Sequence, residues 1–321
     1  MYACSPLRQQ PCQSILNANY IECKAALRVS RIPAFYKEEK QHGMTPSWSG
    51  LHPGGFIAMD IATKSAIRIP PRINVLGVGV HATNMDEAVQ IVLETVRNND
   101  KGFVCVRDVH GIMGSQTDES LRTIHNHSLL TVPDGMPTVW IGRMLGHRAM
   151  RRVYGPDFMA RVCQDTADSN ITHFLYGGNP DVAETLRDEL TQRFPGLKIV
   201  GTYTPPFRPL NEDEERELAN LIDTCRPDIF WVGFSTPKQE RFMSKYLPTL
   251  PVHVMVGVGA AFDIHTGRTK DAPDWVKALG MQWFYRLTNE PRRLWKRYAY
   301  VVPGFLLLAF LQWTGLRPCR L

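Results

Sequence analysis

The stretch Ile171-Thr-His-Phe-Leu-Tyr-Gly-Gly-Asn-Pro180 decides the fold class, because it joins an apolar strand to the start of a helix through a glycine pair. Asn179 is predicted to cap that helix, and Pro180 suits its first turn. Apolar residues follow at four-residue spacing, as on the buried face of a helix: Val182, Leu186 and Leu190. This is one complete strand, loop and helix unit.

The same unit recurs further along the chain. Residues 197–202 read as a strand, and Asn211-x-x-Glu214 reads as the capping box of a second helix. Residues 229–232 form the next apolar strand, which runs into Gly233-Phe-Ser-Thr-Pro-Lys-Gln-Glu240 and a third helix. Residues 252–258 are again an apolar strand. Apolar strands that alternate with helices predict an α/β fold with a Rossmann-like, mostly parallel sheet covered by helices.

Three segments are predicted from the change of pattern along the chain. Residues 1–70 show no sustained period and read as a poorly ordered N-terminal extension. Residues 71–265 contain the sheet, starting with a strand-like run at 73–80 and a helix that Thr83 or Asn84 can cap. Residues 266–321 form a C-terminal appendage that is both basic and apolar.

The charge of the chain is concentrated near its C-terminal end. The 321 residues carry a formal net charge of +6, much of it between Arg286 and Arg297. A local basic patch indicates an acidic partner, such as a diphosphate or lipid headgroups, and no recognised nucleic-acid module accompanies it. The seven cysteines include no Cys-x-x-Cys pair, which argues against disulfides and zinc. With no apolar leader in the first seventy residues, the pattern predicts a cytoplasmic protein.

Two loops at predicted helix starts are candidates for phosphate binding, because free backbone N–H groups there favour an anion. Gly177, Gly178 and Asn179 form the first loop, although on spacing alone an ordinary tight turn with an Asn cap is the favoured explanation. The second loop is Ser235-Thr-Pro-Lys-Gln-Glu240. Thr236 as a cap and Gln239 three residues later are typical of a capping box, which does not account for Lys238 or Glu240. Lys238 would offset diphosphate charge, and Glu240 could hold sugar hydroxyls.

Two further motifs carry carboxylates at strand ends. Asp134 precedes Gly135 after an apolar segment, where it is either a turn residue or a base for an attacking hydroxyl. Gly257-Val-Gly-Ala-Ala261 permits a dinucleotide-binding reading, but no acidic residue ends a following strand. Asp263, directly after it, reads as a loop or ligand contact.

Taken together, these motifs closely resemble the WecG/TagA/CpsF family of glycosyltransferases between residue 73 and about residue 300. The order of the motifs carries the resemblance: residues 104–111, Pro133-Asp-Gly135, Tyr176-Gly-Gly-Asn-Pro180, Pro227-Asp-Ile-Phe-Trp-Val-Gly233, Pro237-Lys-Gln-Glu240, Gly259-Ala-Ala-Phe-Asp263, Trp283-x-Tyr-Arg286 and Glu290-Pro-Arg-Arg293.

The resemblance implies an inverting transferase with Asp134 as the catalytic base. The resemblance further implies that a sugar, with N-acetylmannosamine favoured, is transferred from a UDP-sugar to a polyprenyl-diphosphate-linked saccharide. The family has a second site residue, a threonine in a Thr-x-Asn-like segment. The corresponding segment here, Cys105-Val-Arg-Asp-Val-His110, has no threonine, and Arg107, Asp108 or His110 is expected to fill that part of the substrate pocket. Gln282 likewise stands where glutamate is expected. Appendage arginines such as Arg286 and Arg293 would meet leaving-group charge.

Other readings and partners follow from the same features. Without an Asp-x-Asp motif, the reaction is predicted to need neither a metal nor a cofactor. A nucleotide-binding oxidoreductase and a non-catalytic membrane-associated scaffold are the alternatives. The oligomeric state stays open, with room for a homo-oligomer.

The C-terminal end is predicted to meet the inner face of the cell membrane. A helix over residues 292–300 would place four cations on one side: Arg292, Arg293, Lys296 and Arg297. The apolar run that follows, at 301–313, is interrupted by Pro303 and Gly304 and is predicted to be too short to span a bilayer. A basic amphipathic helix beside an apolar run is typical of a peripheral, interfacial anchor.

Overall fold

The computed structural model describes residues 66–321, so the predicted extension at 1–70 lies almost entirely outside the described residues. The described chain opens with an antiparallel hairpin of β1 (Arg72–Val75) and β2 (Val78–His81). The prediction of one strand over 73–80 is therefore wrong. The chain reverses at Leu76 and Gly77, whose φ angles of 54° and 83° lie in the left-handed region that glycine adopts without strain.

Six parallel strands form the main sheet, which confirms the predicted α/β class. The spatial order is β4-β3-β8-β7-β5-β6. The bounds are β3 (Gly102–Arg107), β4 (Leu130–Pro133), β5 (Thr172–Gly177), β6 (Lys198–Tyr203), β7 (Ile229–Gly233) and β8 (Val254–Gly257). All the pairings are parallel, so the carboxyl ends of the strands meet along one edge, where α/β sheets bind ligands.

Helices connect the strands and cover both faces of the sheet. The helices that precede β7 in the chain are α1 (Met85–Arg97), α2 (Val109–Gly114), α3 (Glu119–His127), α4 (Met136–Met144), α5 (Gly155–Thr166), α6 (Val182–Arg193) and α7 (Glu212–Cys225). The later ones are α8 (Lys238–Tyr246), α9 (Ala261–His265), α10 (Asp274–Ala278), α11 (Gln282–Asn289) and α12 (Pro291–Trp313). The strands are buried by apolar clusters on opposite faces, one around Trp231 and the other around Phe230.

Two of the predicted helix caps are confirmed and two are wrong. Asn84 caps α1, and Asn211 forms the predicted capping box with Glu214 at α7. Asn179 does not cap α6, because Asp181, in a left-handed conformation, takes the N-cap position. Thr236 does not cap α8 either, since the preceding turn continues to Pro237 before the helix begins.

Helix α12 is longer and more continuous than the sequence predicts. It spans 23 residues and passes through Pro303 without ending, so the prediction of an interrupted apolar run is wrong. By length and composition it could cross a membrane. It is also anchored to the protein at its far end: the Gln312 side chain accepts from Leu76 N at 2.9 Å and donates to Asn74 O at 3.0 Å.

Candidate active site

Asp134 lies directly after β4, at the carboxyl edge of the sheet. Its backbone N–H donates to Arg107 O at 2.9 Å, which extends the parallel ladder to β3 by one residue. Gly135 occupies the N-cap of α4, where no side chain makes a capping bond, so the Asp134 carboxylate is left for another role. The side chain is 23% exposed. Burial raises its pKa, against the opposing effect of Arg152, and a raised pKa makes a carboxylate a stronger proton acceptor.

Arg152 holds Asp134 at two points. Its Nε donates to the Asp134 carbonyl oxygen, and its Nη2 lies 3.2 Å from the carboxylate Oδ1. The guanidinium carbon lies 4.3 Å from the centre of the Tyr154 ring, within the range of a cation–π contact. Arg152 therefore fixes both the backbone and the side chain of the candidate base.

A hydrogen-bonded chain joins Arg152 to the C-terminal segment. Gln282, on α11, accepts from Arg152 Nη2 and donates from Nε2 to the Tyr154 hydroxyl at 2.7 Å. That hydroxyl donates to Asp271 Oδ1 at 2.7 Å, and Lys277 Nζ lies 3.0 Å from Asp271 Oδ2. An amide at residue 282 serves both neighbours, because its oxygen accepts while its nitrogen donates. The position of the Asp134 carboxylate is thus linked to the appendage.

Two cavities meet at Asp134. The residues common to both are Asp108, His110, Asp134, Tyr154 and Arg286. One cavity, of about 250 Å³, extends along the carboxyl edge of the sheet and is called here the polar cavity. The other, of about 170 Å³, extends towards α12 and is called the apolar cavity. Asp134 can therefore act on a group at their junction.

The polar cavity is built by loops that follow β7 and β8 and by the appendage helices. Its wall includes the backbone at 233–236 and 258–261, with Thr236, Gln239 and Asp263. The arginines in its wall come from α11 and α12: Arg286, Arg293 and Arg297. Arg293 pairs with Glu290, which leaves Arg286 and Arg297 without an ion pair among residues 66–321. Two such guanidinium groups around one cavity indicate an anionic ligand, and the appendage supplies both.

Two buried polar atoms in the wall of the polar cavity have no hydrogen-bond partner among the described residues. They are Asp263 Oδ1 and Arg286 Nε. An unpaired buried polar atom costs free energy comparable to a lost hydrogen bond, and of the seven such side-chain atoms among residues 66–321 only these two belong to residues that line either cavity. A carboxylate acceptor and a guanidinium donor together suit a ligand with hydroxyl and phosphate groups.

The apolar cavity has a different wall. Met136 and Pro137 of α4, Trp283 of α11, and a row on α12 form it: Val301, Val302, Phe305 and Leu306. Leu306 is 63% exposed, so the cavity opens beside an apolar side chain that faces solvent. Such a wall suits a hydrocarbon chain.

Asp108 and His110 lie where both cavities share a wall. Asp108 caps α2 by accepting from Gly111 N at 2.9 Å, which accounts for one of its carboxylate oxygens. Burial lowers the pKa of His110, Asp108 opposes this, and Arg297 adds to it, so the imidazole is neutral at neutral pH. A neutral imidazole can both accept and donate at the junction.

Arg107 and Glu240, both predicted to bind substrate, are instead fully buried and paired with each other. Burial disfavours the charged guanidinium, but the Glu240 carboxylate together with other nearby groups such as Asp108 outweighs this, and the pKa of Arg107 is raised. Thr236 accepts from Arg107 at 3.0 Å and donates to Glu240 at 3.2 Å. The pair ties the end of β3 to the start of α8 and does not line either cavity.

Gln239 extends this tie to β8. Its Nε2 donates to Glu240 Oε1 at 2.8 Å, and its Oε1 accepts from Gly259 N at 3.1 Å. The loops after β3, β7 and β8 are therefore held together beneath the polar cavity. The Gly257 motif is explained by this packing, since a Cβ at Gly257 would lie 3.0 Å from the Gln239 side chain.

Lys238, Gly177, Gly178 and Asn179 lie outside both cavities. Lys238 and Asn179 are exposed to solvent. Gly177 has a φ of 120°, and a Cβ there would lie 3.0 Å from Gly233 O, so close contact with the end of β7 explains this glycine. An acidic residue, Asp181, opens α6, which disfavours a phosphate at that helix. The tight-turn interpretation of this loop is the better one.

Four residues of the site were missed by the sequence reasoning, although Arg297 was noted for its charge: Arg152, Tyr154, Asp271 and Arg297. Arg152 and Tyr154 follow α4 in a loop between two helices, with no strand end or glycine motif beside them. Asp271 joins them only through the fold. The pair Arg151-Arg152 is the single local signal, and a basic pair in a loop is ordinarily a solvated surface feature.

Comparison with known proteins gives consistent matches. The model of the family described as "Glycosyl transferase WecG/TagA/CpsF family" matches residues 73–318. The N-acetylglucosaminyldiphosphoundecaprenol N-acetyl-beta-D-mannosaminyltransferase of Bacillus subtilis strain 168 is 28% identical over 213 residues, 66% of this chain and 77% of that protein. The protein of the same name from Bacillus spizizenii is 30% identical over 166 residues, 52% of this chain and 62% of that protein. The family match includes every residue that lines the two cavities.

Proposed function

The chain belongs to the WecG/TagA/CpsF family of glycosyltransferases, and from this premise we propose that it transfers N-acetylmannosamine, with inversion, from a UDP-sugar to N-acetylglucosaminyl-diphosphate-polyprenol. The observation that carries the proposal is the position of Asp134 between an arginine-lined polar cavity and an apolar cavity. The two named relatives act, by their names, on a lipid-linked N-acetylglucosaminyl diphosphate.

In the proposed reaction, a hydroxyl of the acceptor sugar attacks the anomeric carbon of the donor. Asp134 takes the hydroxyl proton while the bond between the anomeric carbon and the diphosphate oxygen breaks. UDP leaves with the electron pair of that bond, and a new glycosidic bond forms on the opposite face of the sugar. Arg152 keeps the carboxylate oriented and partly offsets its raised pKa.

The polar cavity is proposed to hold the donor. Charge develops on the diphosphate as UDP leaves, and fixed cations stabilise it most where water is excluded. Arg286 is best placed, because its Nε is buried and unpaired among the described residues. Asp263, with its free carboxylate oxygen, would accept a hydroxyl of the sugar or ribose.

The apolar cavity is proposed to receive the acceptor. A polyprenyl diphosphate is apolar at one end and anionic at the other. The cavity matches this order, with Phe305 and Leu306 towards its apolar side and Arg286 at the junction. Helix α12 fits peripheral membrane association, and we place the site at the cytoplasmic surface, where nucleotide sugars are made.

A UDP-release assay tests the proposal. The full chain is given a panel of UDP-sugars with a short-chain N-acetylglucosaminyl-diphosphate lipid as acceptor. We expect release that depends on the acceptor and is fastest with UDP-N-acetylmannosamine. Acceptor-dependent release that is fastest with another donor would overturn the choice of sugar, and no acceptor-dependent release with any donor would overturn the acceptor class.

A further inference from the structure

The exposed end of α4 carries an apolar stripe that continues from the wall of the apolar cavity. Met136, Trp140 and Met144 follow each other at four-residue spacing, so they lie on one face of the helix. Met136 lines the cavity, whereas Trp140 and Met144 are 46% and 73% exposed. The opposite face of α4 is buried at Thr138, Val139 and Gly142. The exposed stripe therefore is not needed to pack α4 on the sheet.

A second element widens this stripe. Trp140 lies against Gly280, because a Cβ there would be 3.1 Å from Trp140 Cη2. The residues on either side of Gly280, Leu279 and Met281, are 61% and 39% exposed. We call the resulting surface the α4 patch, formed by Trp140, Met144, Leu145, Leu279 and Met281. Contiguous exposed apolar surfaces of this kind mark binding sites.

The charge around the α4 patch identifies its partner. Residues 136–153 contain four arginines and no acidic residue. Arg148 and Arg151 are exposed, and within residues 66–321 neither forms an ion pair; the Arg151 guanidinium donates to the backbone oxygens of Arg148 and Met150. Tryptophan and aliphatic side chains beside unpaired arginines are the composition of surfaces that enter an anionic bilayer.

A second copy of this chain fits less well. In a two-fold symmetric dimer the same patch meets itself, which would bring the arginines of both copies together. An anionic bilayer neutralises them instead.

We propose that the α4 patch is a membrane contact separate from α12, and that it inserts into the anionic bilayer on the other side of the apolar cavity. Met136 at the base of the α4 stripe and Leu306 of α12 both line that cavity, so both membrane contacts would adjoin it. This contact deepens the proposed function, because it would set the depth at which a lipid-linked acceptor reaches Asp134. Binding to vesicles is measured in the absence of substrates, so it tests this contact independently of the proposed transferase activity.

The test uses the full chain and vesicles of equal parts phosphatidylglycerol and phosphatidylcholine. One variant changes Trp140, Met144 and Leu145 together to Ser, and a second carries R148E and R151E. The matched control is F207S, which removes a 79% exposed aromatic side chain from the loop after β6, at the sheet edge opposite β4. Circular dichroism and the thermal unfolding midpoint report that each variant is folded, whether or not UDP is a ligand.

We expect the vesicle partition coefficient of each variant to fall by about tenfold or more, with that of F207S unchanged. Brominated lipids should quench wild-type fluorescence more than that of W140F. Unchanged partitioning of both variants, or no difference in quenching, would overturn the proposal. So would a dimer in solution that the triple change dissociates. If no UDP-sugar is turned over but the variants still lose vesicle binding, the proposed function fails and the membrane contact stands.

Discussion

The polar and apolar cavities share Asp134 but are built by different means. The polar cavity is formed by strand-end loops of the sheet, which the buried Arg107–Glu240 pair holds in place, and is closed by arginines of the appendage. The apolar cavity depends on α4, α11 and α12, and one wall is a helix that is largely exposed. The strand-end loops therefore build only part of the polar cavity, and the appendage contributes to the walls of both cavities.

Changing the shared residue should have the largest effect, since Asp134 serves both cavities. D134N should retain UDP affinity and lose about 10²–10⁴-fold in turnover, because an amide cannot accept the proton of the attacking hydroxyl. UDP release and calorimetry measure the two quantities. D157N, in the first turn of α5 and outside both cavities, is the matched control. Turnover of D134N close to that of the wild type would remove Asp134 from the mechanism.

A change in the polar cavity should act on the donor. R286Q should lower turnover by about 10²-fold, because it removes a preorganised cation where leaving-group charge develops. It should also weaken UDP binding. R292Q removes an exposed arginine of α12 that lines neither cavity and should leave both quantities unchanged with a soluble acceptor. Equal losses in the two variants would mean that the total charge matters and the position of Arg286 does not.

A change in the apolar cavity should act on the acceptor alone. V302F fills part of the space beside Phe305 and should raise the KM for a long-chain acceptor about tenfold, within the range for steric changes in an apolar pocket. UDP affinity should stay the same. L307F makes a similar change on an exposed face of α12 and is the control. If V302F weakened UDP as much as it weakened the acceptor, the two cavities would not be separate subsites.

The sequence predicts the sheet well, since apolar runs between helices are local signals. The α/β class, the caps at Asn84 and Asn211, the family and the enzyme class are confirmed, and the oxidoreductase and scaffold alternatives are not supported. Asp134 and Asp263 are singled out in the sequence because each follows a predicted strand. Both line a cavity in the structure, because the carboxyl ends of parallel strands share one edge. Their roles stay predictions.

Other parts of the site depend on contacts that no local pattern records. Arg152 reaches Asp134 from a loop between helices, and Asp271 reaches Tyr154 across more than one hundred residues of chain. Glu240 reads from sequence as a ligand group, yet the fold turns it inwards to pair with Arg107. Long-range pairing of this kind becomes visible only when the strands have been assembled.

The pH dependence should reveal how the appendage adjusts the base. Burial raises the pKa of Asp134, Arg152 and Arg286 lower it, and Asp108 raises it. Q282E adds a negative charge that competes for Arg152, so the pKa of Asp134 should rise. The base must be ionised to accept a proton, and therefore the acidic limb of kcat/KM should move to higher pH by about one unit. Q164E, an exposed position on α5, should not move it. A limb that stays in place, or moves to lower pH, would contradict the link between Gln282 and Asp134.

The smallest effect is expected at Lys238, which the sequence interpretation assigns to the diphosphate. In the structure it is exposed at the start of α8 and lines neither cavity. An exposed charge interacts weakly through water, typically by less than about 1 kcal/mol, so K238A should change UDP affinity by less than about threefold. R286Q, measured in the same calorimetry series, gives the scale for a cation inside the cavity. A loss in K238A as large as that in R286Q would mean that the start of α8 closes over the diphosphate when UDP binds. The polar cavity would then extend to the start of α8 in the UDP complex.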